Sequence, residues 1–375
     1  MSTFPHLRLR EGAGPLLDLP WEEPLGAWSR AGIRFRDLPV GPSRHLVRFL
    51  VADGRVYALK ELPLGVASRE YGVLRHLEED ALPAVRAIGI AEAPERDTAI
   101  LVTEYLAHSL QYRRLLSRFP AGPHPYRDRL LDAMAWLLVD LHRSGVYWGD
   151  CSLANTLFRR DGDTIQAYLV DAETSEVHPA LSDGQRRADL EILVENVAFG
   201  LADLAALQGR LTLDDDDPIQ AAEAVRTRYL EVWSELAATP LLEATDRHAV
   251  RARIRRLNEL GFIVAEVELE PGTDGNRVQL RVAVATRDFH AKRLRERTGV
   301  RALEGQARLL LNDLREYVVW VEADSGRSLS PDDGAARWLA EVYRPTVARI
   351  AAAVGPSRDL VQAYCDVLEH KWLAS

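Results

Sequence analysis

The chain has 375 residues, a net charge of −9 and 47% hydrophobic residues, which fits an ordinary soluble globular protein with room for two or three domains. The acidic balance argues against a dedicated nucleic-acid binder. The first residues lack the apolar core of a secretory signal, and no run reaches the about 20 apolar residues of a membrane span. Cys151 and Cys365 lie too far apart in sequence to suggest a disulfide or metal pattern. A cytoplasmic protein is expected, and the Arg and Ala bias fits a high-GC bacterium.

Residues 1–40 are punctuated by proline and glycine, with Trp21 and Trp28 as anchors, and read as an irregular extension packed onto a later domain. A strand is predicted over His45–Val51, a tight turn at Asp53-Gly54, and a returning strand over Arg55–Leu62. Apolar spacing at Tyr71, Leu74 and Leu77 predicts a helix over Ala67–Glu79. Another strand, Ala99–Tyr105, runs into a hinge at Glu104 to Leu106. A strongly apolar helix over 127–144 ends at Ser144-Gly145, a glycine C-cap signal. Next come a polar loop from Trp148 to Thr156 and a strand pair flanking the turn Asp161-Gly162-Asp163. Asp189 opens a helix running to about Leu207, and the acidic run Asp214 to Asp217 marks a loop.

Beyond residue 240 the texture changes. A basic helix (Arg247–Leu260) precedes strands over Phe262–Leu269 and Arg277–Ala285, with a turn at Pro271 to Gly275 between them. Helices follow near 304–322, 334–352 and 357–372. The arginines of the basic helix followed by a hairpin could suit a DNA reader, but the net charge argues against nucleic acid as a partner.

The chemistry begins at Lys60. Of 47 basic side chains only three are lysine, and one of them ends the apolar run Val56-Tyr57-Ala58-Leu59-Lys60. A compact ammonium on a buried strand suits phosphate binding in a way the bulkier, forked arginine does not. Asp150 and Asn155 stand five apart in a polar loop. That spacing lets a carboxylate orient a hydroxyl while an amide oxygen holds Mg²⁺ in the same cleft. Asp171 ends the strand Tyr168-Leu169-Val170, and Glu70 lies on the helix after Lys60. Each has an ordinary alternative: a turn aspartate, a cap, or a surface helix charge. Their order along the chain carries the signal. It runs strand lysine, helix glutamate, strand and hinge, apolar helix, Asp-x4-Asn, hairpin, strand aspartate, and a helix led by aspartate.

At these residues the chain resembles the protein-kinase-like superfamily, closest to its lipopolysaccharide-kinase-like and aminoglycoside-phosphotransferase-like branches. The stretches Arg253 to Phe262 and Leu368 to Trp372 resemble a bacterial C-terminal domain of unknown function. The resemblance implies an α+β, bilobal protein-kinase-like fold with an additional C-terminal α/β domain. Its parts are a 1–40 extension, a 41–106 N-lobe, a 107–240 C-lobe and a 241–375 C-terminal domain. It implies ATP and Mg²⁺ as cofactors. Lys60 is then the phosphate-binding lysine, Glu70 its partner, Asp150 the catalytic aspartate, and Asn155 and Asp171 the metal ligands. The backbone of Glu104 to Leu106 would take adenine, with Thr103 just inside, and Asp189 would brace the catalytic loop.

The sequence departs from the family pattern at several points. No G-x-G-x-x-G precedes Lys60, and Ser43 and Arg44 are candidate substitutes at the phosphates. Trp148 stands where His is usual. Asp171 is followed by Ala172-Glu173, so Glu173 is either an extra metal ligand or a solvated charge. Asp171 and Asp189 are only 18 positions apart. That leaves little room for a peptide platform and favours a small-molecule or glycan hydroxyl as acceptor, with His178, Arg186 and Arg187 as possible lining. The function expected is an ATP-dependent phosphotransferase of atypical kinase fold. The alternatives are a nucleotide-binding pseudokinase acting as a scaffold, or an atypical protein kinase. The C-terminal domain is a candidate for recruiting a protein partner.

Overall fold

The computed structural model describes residues 5–38, 40, 44–119, 123–209, 217–243, 246–259, 262–271, 277–284, 287–355 and 357–373. It divides into two compact units: Met1–Arg159 with Gln166–Arg226, and Arg160–Ile165 with Thr227–Ser375.

The first unit opens with β1 (His6–Leu9) and β2 (Phe35–Arg36). β3 (Leu46–Ala52) and β4 (Arg55–Pro63) follow as a hairpin, with Ala52 opposite Arg55. The turn residues Asp53 and Gly54 both have positive φ, 48° and 70°, as the primed hairpin turns require. After α1 (Leu64–Glu79) come β5 (Ala87–Ala93) and β6 (Thr98–Glu104). Among the described residues these make a six-stranded sheet in the order β1-β5-β6-β4-β3-β2, with antiparallel neighbours throughout.

The first 40 residues are therefore not merely an irregular extension, because they supply both edge strands of this sheet. They also supply much of its core. Leu16, Trp21, Leu25 and Trp28 are fully buried in one cluster with Tyr57, Leu59, Ile88 and Val102. The two indoles meet edge to face at 5.1 Å. Each indole N–H donates to a main-chain carbonyl, Trp21 to Leu16 and Trp28 to Glu23, so neither polar tip is stranded.

Strand alternation then fixes what faces the cleft. Tyr57 and Leu59 point into the tryptophan cluster, while Ala58 and Lys60 point the other way. Glu61 shares the tryptophan-side face. Burial raises its pKa there, opposed by the Leu25 main chain and Arg96.

The helical part of the first unit has α2 (Tyr112–Leu116) and α3 (Pro125–Arg143), most of whose residues from Leu130 to Leu141 are buried. Pro125 at its start and Gly145 just beyond its end follow the usual asymmetry of helix termini. β7 (Val146–Tyr147) leads into the polar loop. β8 (Thr156–Asp161) and β9 (Thr164–Leu169) form the next hairpin, and β10 (Glu176–Val177) returns to pair with β7. α4 (Asp183–Leu207) begins six residues earlier than expected. Ser182 and Gln185 form a capping box that starts it, and Asp189 lies inside the helix.

α5 (Asp217–Ala237) ends in the second unit. There β11 (Leu241–Glu243), β12 (Val264–Pro271) and β13 (Arg277–Val284) form a three-stranded antiparallel sheet, with α6 (Arg247–Glu259) between β11 and β12. A helical core follows. α7 (Phe289–Thr298), α8 (Glu304–Ser325), α9 (Pro331–Trp338), α10 (Arg344–Val354) and α11 (Leu360–Leu373) enclose Leu294, Leu310, Trp338, Tyr364 and Leu368. A π-helical turn, Leu339–Tyr343, joins α9 to α10. Buried Asp313 accepts from both the Trp338 indole (2.8 Å) and the Tyr364 hydroxyl (2.7 Å). Among the described residues no helix is long and apolar enough to cross a membrane.

Candidate active site

Lys60 lies on β4, opposite Val47 on one side and Leu101 on the other. Its Nζ is 2.9 Å from Asp171 Oδ1, 3.2 Å from Glu70 Oε2 and 3.5 Å from Glu173 Oε2. Glu70 is 1% exposed on α1. Its other oxygen accepts from the Ala172 N–H at 3.4 Å, so one carboxylate ties the lysine strand to the segment after Asp171.

The polar loop is organised by Asp189. Fully buried in α4, it accepts from the main-chain N–H of Trp148 (2.6 Å) and of Gly149 (2.7 Å), from His142 Nε2 (3.1 Å) and from the Cys151 thiol (3.3 Å). A buried carboxylate is tolerated because donors satisfy both its oxygens. Gly149 holds φ at +78°, and a Cβ there would fall 2.9 Å from the Thr174 carbonyl, so a side chain is excluded on two counts. The Trp148 carbonyl accepts from the hydroxyls of Thr174 (2.9 Å) and Ser175 (3.1 Å), which stitches the loop to the segment after Asp171. Asn155 Nδ2 donates to Asp150 Oδ2 (3.0 Å) and to the Asp150 carbonyl (3.1 Å).

Lys60, Glu70, Thr103, Glu104, Leu106, Asn155 and Asp171 line a single cleft with a cavity of about 180 Å³. Apolar side chains, Val47, Phe49, Val85, Leu101, Leu157 and Val170, also line it. At the hinge the sheet engages two main-chain donors: the Glu104 N–H bonds the Arg86 carbonyl, and the Tyr105 N–H bonds the Val56 carbonyl.

Residues 54–209 match the model of the lipopolysaccharide kinase (Kdo/WaaP) family, and residues 231–375 match a domain of unknown function, DUF4032. A curated relative, the lipopolysaccharide core heptose(I) kinase WaaP of Pseudomonas aeruginosa, is 27% identical over 142 residues, 36% of this chain. The chain spans about half (53%) of that relative's length. Residues 54–209 are a Kdo/WaaP-family domain, and residues 231–375 are a DUF4032 domain. Among solved structures, WaaP in complex with acyl carrier protein aligns with a TM-score of 0.42 at 21% identity, covering 68% of this chain and 99% of that one. The Mycobacterium tuberculosis PknI kinase domain aligns at 0.32 and 18%, covering 52% and 98%.

N-terminal to the Kdo/WaaP-family domain, Ser43 and the rest of Gly41-Pro42-Ser43 lie outside the described residues. Arg44 is largely exposed, 3.5 Å from Glu173, and His45 Nε2 is 3.2 Å from the same carboxylate. Glu173 is thus not a solvated charge but a bridge between the start of β3 and Lys60. Arg186 and Arg187 bond Asp183 within the first turns of α4, and His178 bonds Glu176 and Gln185, so all three are engaged locally.

Two side chains that the sequence did not single out support the loop. His142 bonds Asp189, and Asn196 Nδ2 donates to the Cys151 carbonyl at 2.8 Å. Their position on two long apolar helices was the available signal, since a polar residue on a buried face needs a partner.

The electrostatics follow from burial. Burial raises the Glu70 pKa to about 7, although Lys60 opposes it. For Lys60, burial acts to lower the pKa, but Glu70, Asp171 and Glu173 together outweigh it and hold the ammonium above its ordinary value. Burial likewise lowers the His142 pKa against the pull of Asp189, and pushes the Cys151 thiol up, out of the reactive range.

Asn155 and Asp171 offer an amide oxygen and a carboxylate to the same cleft. The Asn155 amide is oriented by donating its nitrogen to Asp150, which leaves its oxygen as the group for a cation. Hard oxygen donors of this kind suit Mg²⁺, so these two residues fit the ion that the fold family implies.

Proposed function

We propose that the chain is an ATP-dependent phosphotransferase acting on a glycan or small-molecule hydroxyl. The observation that carries this is a cleft lined by Lys60, Asp171 and Asn155, in which Lys60 lies 2.9 Å from Asp171 and Asn155 bonds Asp150, itself outside the lining, at 3.0 Å. The first pair suits phosphates and the second suits an attacking hydroxyl.

In this mechanism the apolar lining receives adenine, and the Leu106 N–H is the hinge donor, since those of Glu104 and Tyr105 are already bonded. Lys60 holds the phosphates, steadied by Glu70. Asp150 accepts a hydrogen bond from the acceptor hydroxyl and aims its oxygen at the γ-phosphorus. The new P–O bond forms as the bond to the ADP oxygen breaks, and the hydroxyl proton passes to Asp150. Asp189 keeps Asp150 in place by gripping the loop at Trp148 and Gly149. Mg²⁺ held by Asn155 and Asp171 would neutralise charge on the phosphates.

The acceptor class rests on two supports. One is the family match and a relative that phosphorylates a heptose of lipopolysaccharide core. The other is the short path from Asp171 to α4, which starts at Asp183 and is partly occupied by β10. That path leaves little chain for a peptide-binding platform.

The test is transfer of label from γ-labelled ATP, with Mg²⁺, to a panel of core oligosaccharides and a metabolite extract. A labelled sugar that disappears in Asp150→Ala supports the assignment. Label found on the protein itself, with none on any small acceptor, points to a protein kinase and overturns it.

A further inference from the structure

Arg160–Ile165, the tip of the β8–β9 hairpin, belongs to the second unit. Within that unit the tip is held with more hydrogen bonds than a turn needs. Gln362 of α11 grips Gly162 on both sides of its peptide: its Oε1 accepts from the Gly162 N–H (2.9 Å) and its Nε2 donates to the Gly162 carbonyl (2.8 Å). Asp161 Oδ1 accepts from the Gln306 N–H at the start of α8 (2.8 Å), and Gln306 Nε2 donates to Gln362 Oε1 (3.2 Å). Asp161, Gln306 and Gln362 are 4%, 1% and 7% exposed. The backbones meet without side chains: a Cβ on Gly162 would fall 2.9 Å from Gly305, and one on Gly305 would run into the Asp161 carbonyl.

An Asp-Gly-Asp turn forms without such help. Burying two glutamines to hold it requires that every amide group be matched, so the arrangement admits one register of the tip and penalises others. The register matters because of what the hairpin joins. β8 starts at the residue after Asn155, and β9 ends two residues before Asp171. The Val170 N–H donates to the Asn155 carbonyl at 3.1 Å, so the ladder continues to the two candidate metal donors. A slip of one residue would displace Asp171 by about 3.3 Å and turn the strand's side chains to the other face.

We infer that Gln362 and Gln306 of the DUF4032 domain are positioning residues. By locking the hairpin tip they set the spacing of Asn155 and Asp171, and so the affinity of the site for its cation. This gives the domain a part in the phosphotransferase site, and it rests on the assignment of those two residues as metal donors under the proposed function.

The experiment uses the full chain and the variant Gln362→Leu, which keeps the volume and removes both bonds to Gly162. Amide hydrogen exchange is read over residues 156–170, and the Mg²⁺ dependence of ATP-induced thermal stabilisation is read alongside. The expected result is faster exchange in the hairpin and a Mg²⁺ midpoint raised about tenfold, the low end of the cost of losing a direct partner of a metal ligand, because Gln362 acts on Asn155 and Asp171 only through the hairpin. Metal-free nucleotide binding should stay within about twofold of wild type, because the lysine and the hinge are untouched. Gln362→Glu, which keeps the acceptor for the Gly162 N–H, should fall between the two and serves if Gln362→Leu does not fold. An unchanged Mg²⁺ midpoint in a folded variant overturns the inference alone. A wild-type chain whose stability does not respond to ATP and Mg²⁺ overturns the proposed function, and this inference with it.

Discussion

Lys60 sits closer to Asp171 than to Glu70, 2.9 Å against 3.2 Å, so the candidate phosphate lysine is shared with a candidate metal ligand. A cation arriving with ATP would compete for Asp171 and leave Lys60 to Glu70 and the phosphates. Lys60→Ala should therefore abolish most of the ATP·Mg²⁺-dependent rise in melting temperature. The unliganded protein should remain folded, because a cleft-facing side chain is not part of the core. Thermal melts with and without ligand read both quantities. A full ligand shift in the variant would show that nucleotide binds without this lysine.

Asp171 and Lys60 should separate in their effects. Asp171→Asn keeps the size and removes the charge, so turnover should fall by at least about 100-fold while metal-free nucleotide binding survives. Because the change also removes a carboxylate from Lys60, binding of metal-free ATP should tighten slightly if it changes. Wild-type turnover in this variant would mean that the metal is held elsewhere. The readout is a pair of measurements, steady-state phosphate release and equilibrium binding of a fluorescent ATP analogue.

Glu70 makes a pH prediction with a definite sign. Its folded pKa is raised to about 7 by burial, above the ordinary carboxylate value of 4.5. The folded state thus holds this proton more tightly than the unfolded state. The contribution to stability is full below the unfolded value and is lost as pH rises through about 7. Glu70→Gln removes that dependence, so its melting temperature should gain on the wild type between pH 5 and pH 8. Catalysis should move the opposite way, because the ionised carboxylate is the form that steadies Lys60 at the phosphates. A difference in melting temperature that is flat across this range would show that Glu70 is already ionised at pH 5.

The residues converging on the cleft were legible because their chemistry constrains their setting. A rare lysine ending an apolar strand, with an Asp-x4-Asn loop and a strand-end aspartate after it in this order, fits a phosphate-handling cleft far better than a set of unrelated turns and caps. The supporting frame was less legible, for physical reasons. β1 has four residues and β2 two, too few for a period of two to be visible among prolines and glycines. β5 (Ala-Ile-Gly-Ile-Ala-Glu-Ala) is buried along nearly its whole length and so shows no alternation. The start of α4 was readable in principle from Ser182 and Gln185, but the polar run 183–188 resembles a loop. The bond from Gln306 to Asp161 spans 145 positions, and nothing local announces it.

The N-terminal tryptophans offer a test of that frame. Trp28 is fully buried, stacks on Phe35 and meets Trp21 edge to face, in the cluster that also holds Leu59, the neighbour of Lys60 on β4. An independent extension would tolerate its loss. As part of the core behind the lysine strand, Trp28→Ala should destabilise the first unit by about 3–5 kcal/mol, the usual cost of emptying a buried aromatic site. The opposite face of β4 carries Ala58 and Lys60, so loosening this cluster should also weaken nucleotide binding, although Trp28 does not line the cleft. Hydrogen exchange should rise first in β3, β4 and β6. If Trp28→Ala melts like the wild type and binds nucleotide normally, the first 40 residues are an attachment to the sheet and not part of its support.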